Sequence, residues 1–279
     1  MRLAPLPLIG LITLFALPAL FSSSSARAAN APWFERSVPV RIMALGDSIT
    51  AGVGAGGIDT GSGGYRTGLE RWLDDQGYHY AMTGARSDYS KRARMPRHEG
   101  WPGYVIRSFP SDPAPQLYGA VTKRAIAHDR PDVILLMAGT NDLLRLAKGK
   151  AGYTIPHIVA SMNALIAEIF SAQPDVAVIV AGVVDSPRVR ACDVARFDGS
   201  LASGCTFVNG PNLRTLVEHY HARGYRIAYA ADMATAVRRD AVHFPDGIHP
   251  SGPDGYNAMA RVWARAIEEE TYVPNQEPP

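Results

Sequence analysis

The chain has 279 residues, of which 47% are hydrophobic, 9% aromatic and 19% charged. Those fractions supply an ample core and exclude a disordered, fibrous or low-complexity protein. With 28 Lys and Arg against 26 Asp and Glu, the formal charge is +2, too close to neutral for a chain that grips nucleic acid by its phosphates.

Residues 1–28 read as a signal peptide. Arg2 supplies the positive end, residues 6–21 an apolar run broken by Pro7 and Pro18, and Ala26-Arg27-Ala28 a cleavage pattern. The run is short for a membrane span, and the small-residue site after it argues against a stable membrane anchor. Cleavage there removes Arg2 and Arg27 and no acid, which leaves 26 basic against 26 acidic residues. The expected product is secreted, either extracellular or periplasmic, with residues 29–37 as an N-terminal tether.

Residues 38–45 have the β-branched and aliphatic content of a buried strand. The strand breaks into Gly46-Asp47-Ser48-Ile49-Thr50 and a glycine-rich loop that runs to Gly64. A serine there sits at the C-terminal edge of a sheet, where open α/β folds keep their ligands. Taken alone, the same residues also make an ordinary turn. A helix follows from Tyr65, with Leu69, Trp72 and Leu73 on one face and Gly77 as its stop. Residues 78–83 read as the second strand.

From 84 to 115 the chain is polar, basic and rich in Pro and Gly, a long loop with at most a short helix near Val105. Its cations Arg86, Lys91, Arg92, Arg94 and Arg97 read as a solvated face, with an anionic polymer as the rival. A helix is expected over 116–128, a strand buried on both faces over 132–138, and a loop over 139–153. The clearest helix starts after Thr154, a natural N-cap with Pro156 in the first turn. Ile155, Ile158, Val159, Met162, Leu165, Ile166, Ile169 and Phe170 mark its apolar face. Residues 175–183 form another continuous apolar strand. Cys192 and Cys205 then share a polar, glycine-containing segment, and in an oxidising compartment they are most simply a disulfide. A helix over 213–220, a strand over 226–230 and a last helix after Ser251 complete the domain, and 269–279 is a flexible tail. Strands that alternate with amphipathic helices give a parallel sheet covered on both sides, in one domain over 38–268.

Three further loops join Ser48 at the strand exits: His98-Glu99-Gly100-Trp101-Pro102-Gly103-Tyr104, Gly139-Thr140-Asn141-Asp142 and Asp246-Gly247-Ile248-His249-Pro250. A serine hydroxyl attacks an ester only if a base takes its proton, and a histidine suits that role. The histidine needs an acceptor on its other nitrogen, and a turn through Gly247 brings Asp246 within reach of His249. The oxyanion needs donors about 3 Å away. The Ser48 N–H, a glycine N–H and the Asn141 amide are of the right type. His98 and Glu99 read as a solvated loop pair, Asp47 and Asp142 as loop-bracing acceptors, and the other histidines as structural.

In this order the four loops resemble the SGNH hydrolases, the GDSL-type esterase/lipase family. Gly-Asp-Ser-Ile-Thr is similar to the first block, Gly-Thr-Asn-Asp to the third and Asp-Gly-Ile-His-Pro to the fifth. The segment 98–104 resembles the second block of a secreted, carbohydrate-esterase-like branch. The resemblance implies a flavodoxin-like three-layer α/β/α sandwich with a parallel sheet of about five strands. It implies Ser48 as nucleophile, His249 as base, Asp246 as its partner, and an oxyanion hole of Ser48, Gly103 and Asn141. Gly84 and Gly100 compete with Gly103 for the second-block role. The long 52–64 insert and the cysteine loop depart from many members, and both are expected to border the site.

The spacing Gly52, Gly54, Gly57 formally matches a dinucleotide fingerprint, but the strand leaves through Gly46-Asp47-Ser48 and no acid ends strand two. No cofactor or metal is expected, since His-Glu-x-x-His and Gly-Lys-Ser/Thr are both lacking. The expected activity is hydrolysis of short-acyl esters, foremost acetyl, on a polysaccharide by a monomeric enzyme. A lipase or lysophospholipase of the same family is one alternative. A catalytically silent carbohydrate-binding module is another.

Overall fold

The computed structural model describes residues 33–34, 38–200, 204–205 and 210–271. The expected signal peptide, most of the tether, part of the cysteine segment and the tail from 272 onward lie outside the described residues. Trp33 and Phe34, which fall within the expected tether, are buried, and Phe34 meets Tyr78 edge to face at 6.2 Å.

Continuous apolar runs become the strands. β1 (Val40–Gly46), β4 (Val133–Met137) and β5 (Ala177–Ala181) are buried on both faces, apart from Arg41 on β1. β2 (Tyr80–Thr83), the two-residue β3 (Glu99–Gly100) and β6 (Ile227–Ala230) complete a sheet in which every named pairing is parallel. The order is β2-β1-β4-β5-β6, and β3 pairs with the end of β1 beyond β2. The chain leaves β1 toward β2 on one side and returns to β4 on the other. The β1/β4 junction is therefore a switch point, where loops diverge and leave a crevice.

The helices pack in two layers, as the flavodoxin-like expectation requires. On one face, α2 (Tyr65–Asp75) and α8 (Gly252–Thr271) cover Val40, Ile42 and Ala44 with Leu69, Leu73, Met259 and Trp263. On the other, α3 (Ala120–Asp129), α5 (Ile155–Ala172), α6 (Ala191–Asp198) and α7 (Leu213–His221) cover Met43 and Leu45. α5 is the helix with the clearest pattern in the sequence: Thr154 caps it by accepting from the His157 N–H, and Ile158, Met162, Leu165, Ile166 and Ile169 are fully buried. Each such side chain stabilises the fold by roughly 1.5–3 kcal/mol.

The structure corrects two local expectations. The segment 139–153, expected as a loop, opens with α4 (Thr140–Ala147). Thr, Asn and Asp compete for backbone hydrogen bonds and so read as turn residues, yet here they form the first turn. Leu143 is buried, Asp142 lies at the positive end and Arg145 near the negative one. The cysteine segment likewise begins in a helix, α6. Cys192 bonds to Cys205 there, with an S–S distance of 2.03 Å across 13 residues.

Candidate active site

Gly46 ends β1 because a side chain would not fit: a Cβ there would lie 2.1 Å from the Met137 carbonyl oxygen. The next residue, Asp47, is extended and caps the short helix α1 (Ser48–Ala51), accepting from the Ile49 N–H at 3.0 Å. Ser48 thus opens a helix at the switch point, with its own N–H among the first, unpaired donors of the turn. It is 7% exposed, so only a narrow approach reaches its hydroxyl.

Arg66, a residue that the sequence reading passed over, holds this turn from behind. It is fully buried, and it donates to the Thr50 and Ala51 carbonyls, each at 3.0 Å, and to Ser90 Oγ at 2.6 Å. Burial pushes its guanidinium down to about 10. The cation satisfies the terminal carbonyls of α1, the role that a residue at a helix C-terminus ordinarily plays.

The Asp246–His249 turn comes from the far end of the chain. Gly247 takes φ +79°, which favours glycine. His249 Nε2 lies 3.0 Å from Ser48 Oγ, and its Nδ1 lies 2.7 Å from Asp246 Oδ2. Asp246 Oδ1 accepts from the backbone N–H groups of Ile248 at 2.9 Å and His249 at 2.8 Å. The glycine-rich insert contributes here: Gly56 N–H donates to Asp246 Oδ2 at 2.8 Å. Partial burial would raise the Asp246 pKa, but the His249 ring N–H and these three backbone donors outweigh it and hold the carboxyl well below the usual range. An ionised Asp246 accepts the Nδ1–H hydrogen bond, which fixes the tautomer that leaves Nε2 as the acceptor facing the Ser48 hydroxyl.

Asn141 lies in the first turn of α4, at the exit of β4, the strand that pairs with β1, after which Ser48 follows. Its Nδ2 donates to the Tyr104 carbonyl at 2.9 Å, which ties it to the loop just after Gly103. The Trp101 N–H bonds the Gly46 carbonyl at 2.8 Å, so the same loop is also pinned to the end of β1. Of the three competing glycines, Gly100 donates its N–H to His98 Nδ1 at 3.0 Å. Gly84, at φ +142°, is pressed against the His98 backbone, where a Cβ would lie at 2.3 Å. Gly103 is exposed, at φ +81°, with open space where a Cβ would stand.

His98 and Glu99, expected as a solvated pair, are fully buried. Burial drives the His98 imidazole down to about 3, so it stays neutral, with Nε2 2.9 Å from the Asp88 carbonyl. Glu99 accepts from the Ala85 N–H at 2.6 Å and from Trp101 Nε1 at 2.8 Å. They follow the exposed Arg97 in a polar stretch, whereas β3 carries Glu99 against β1 and His98 is bridged to Arg86. Of the aromatic residues in or near these loops, Tyr65 and Tyr153 are buried. Trp101 stands among Arg86, Arg124 and Tyr104. Tyr104 is left half-exposed beside Gly103 and Asn141. Among the described residues no cluster of three or more His, Cys, Asp or Glu could hold a metal ion.

Asp142 acts as a brace: it is fully buried, and its Oδ2 accepts from the Ile106 N–H at 3.0 Å. Burial, helped by the Asp47 carboxylate, pushes it up to about 8. The unfolded chain releases this proton near the ordinary Asp value of about 3.9. Between those two values the native state binds more protons than the unfolded one, so this group makes stability fall as pH rises. Asp142→Asn keeps the acceptor for Ile106 and cannot ionise. Its melting temperature is expected to fall less than that of the wild type as pH rises from about 4 to about 8. Parallel melting curves across that window would count against this role.

The profile of the GDSL-like Lipase/Acylhydrolase family matches residues 44–273, a span that holds all four loops. A multidomain esterase of Ruminococcus flavefaciens is 33% identical over 117 residues, which is 37% of this chain and 14% of that protein. The match thus spans about one seventh of that relative's length. Among solved structures, a family 3 carbohydrate esterase of Clostridium thermocellum superposes with a TM-score of 0.61 at 23% identity, over 83% of this chain and 96% of that one. A carbohydrate esterase family 3 structure from Talaromyces cellulolyticus gives 0.61 at 19% identity, over 82% and 97%. At these identities the likeness is one of fold.

Proposed function

We propose, from the premise that this chain belongs to the GDSL-like lipase/acylhydrolase family, that it is a secreted serine esterase which removes short acyl groups, foremost acetyl, from a carbohydrate. The observation that carries this reading is the unbroken chain from Ser48 Oγ through His249 to Asp246, at 3.0 and 2.7 Å. His249 Nε2 takes the Ser48 proton as the oxygen attacks the ester carbonyl. The oxyanion lies against the Ser48 N–H, the Gly103 N–H and the remaining Asn141 N–H. His249 then protonates the leaving sugar alcohol, and a water activated by the same nitrogen releases the acid from the acyl-enzyme.

Gly103 suits its part because the N–H of Gly100 is already engaged and Gly84 is packed against His98. A short acyl group suits the surface. The exposed large hydrophobic residues among those described are Val38, Ile58 and Val242, isolated from one another in sequence. A long acyl chain asks for a contiguous apolar patch. Tyr104 supplies an aromatic face at the oxyanion side for a sugar ring. The Cys192–Cys205 disulfide fits the oxidising compartment that the expected signal peptide leads to. Carbohydrate esterases among the similar structures agree with the substrate class.

The test is a chain-length series of p-nitrophenyl acetate, butyrate and palmitate beside acetylated xylan and acetylated pectin. Acetate is expected to give the highest kcat/KM of the three nitrophenyl esters, with acetate released from at least one polymer. Palmitate preferred over acetate would overturn the short-acyl reading.

A further inference from the structure

Behind the Asp246–His249 turn lies a second concavity of about 550 Å³. It is walled by the glycine-rich insert on one side and by α2 and the start of α8 on the other, and Pro250, the neighbour of His249, reaches its rim. The turn that separates it from the catalytic carboxylate is the one that carries Gly56, whose N–H holds Asp246. The volume falls within the range that accommodates a small ligand or a sugar unit.

Two arginines line this cleft, Arg71 from α2 and Arg92 from the long basic loop. The cations of that loop are not equivalent. Arg86 pairs with Asp88, and Arg94 pairs with Asp74 at 2.6 Å. Arg92 and Arg71 have no ion-pair partner among the described residues; Arg71 donates to the neutral Asn257 amide oxygen at 3.2 Å. Ser62 and Thr60, also in the wall, accept from backbone N–H groups and so keep their own hydroxyl protons to donate. Two unneutralised forks beside free hydroxyls form a donor-rich site, which matches a carboxylate flanked by sugar oxygens. No acidic residue stands among those that line the cleft.

We propose that this cleft is a substrate subsite that takes a carboxylate-bearing sugar unit of the polymer, gripped by Arg71 and Arg92. The proposal rests on the reading of the chain as a carbohydrate esterase. It selects acidic acetylated glycans over neutral ones of the same backbone.

The experiment compares acetylated xylo-oligosaccharides with and without glucuronic acid side groups, using the wild type and the double variant Arg71→Ala/Arg92→Ala. In the wild type, kcat/KM for the acidic oligomer is expected to exceed that for the neutral one by about tenfold, and to lose this margin in high salt. In the double variant the ratio is expected to fall to about one, as one charge-assisted pair per arginine is removed. Equal rates in the wild type, or a preference that survives in the double variant, would overturn the subsite. Calorimetric titration with deacetylated glucuronic-acid-bearing oligosaccharide separates the two readings. If no acetylated glycan is turned over while p-nitrophenyl acetate is, the carbohydrate reading has failed. Binding that is lost in the double variant would still support the cleft, and absence of binding to the wild type would sink it.

Discussion

Ser48→Ala is expected to lower kcat on p-nitrophenyl acetate by at least about 10⁴-fold, leaving only the residual catalysis that binding and the oxyanion donors supply. The substitution removes one oxygen from a site that is 7% exposed and leaves the Asp47 cap, the Arg66 clamp and the backbone N–H in place. The variant should therefore fold and still bind product-like ligands. Its circular dichroism and melting temperature are expected to match the wild type, which separates lost chemistry from lost structure. Turnover within tenfold of the wild type, in a preparation shown to be free of contaminating esterase, would end the proposed mechanism.

Asp246→Asn is the next largest effect, with kcat expected to drop about 10³–10⁴-fold. Four donors converge on this carboxylate: the His249 ring, Gly56, Ile248 and the His249 backbone. An amide has one acceptor oxygen, so its NH₂ must face two of those donors in either orientation. Turned toward Oδ2, it meets Gly56 and forces the other tautomer on His249, whose Nε2 then carries a hydrogen and cannot accept from Ser48. Turned away, it opposes two backbone N–H groups.

Stability responds with a defined sign. The folded-state pKa of Asp246 is depressed, so its contribution is present above the unfolded value of about 3.9 and is lost as pH falls below it. The destabilisation of Asp246→Asn should therefore be full at neutral pH and shrink toward acid. A variant that retains most of its kcat would show that Asp246 is not the partner on which His249 depends.

The positions of these groups were legible in different degrees. Ser48, Asn141, Asp246 and His249 could be named because each stands in a short loop after an apolar run or before a helix, and glycine marks the bend. The strands were legible for the same reason: β1, β4 and β5 are buried on both faces, so their apolar runs are continuous. α4 was not, because its first turn is built of turn-forming residues that are helical only where Asp142 reaches across to Ile106. The burial of His98 and Glu99 was also invisible, since no local pattern records that a two-residue strand will pair with β1.

By itself, then, the sequence determined the α/β class, the alternation that makes the sheet parallel, and the residue types available for chemistry at the strand exits. Those are local properties, written in periodicity and in the conformational limits of glycine and polar turn residues. Only the tertiary structure decided which of the competing groups remain free. It occupied the Gly100 N–H with His98, walled Arg66 in behind α1, and paired Arg86 and Arg94 with acids while leaving Arg71 and Arg92 facing a cleft. It also brought Gly56 to Asp246 across 190 residues. The physical reason is that a hydrogen bond or an ion pair depends on distances of about 3 Å, and those are fixed by how the layers pack rather than by any spacing along the chain.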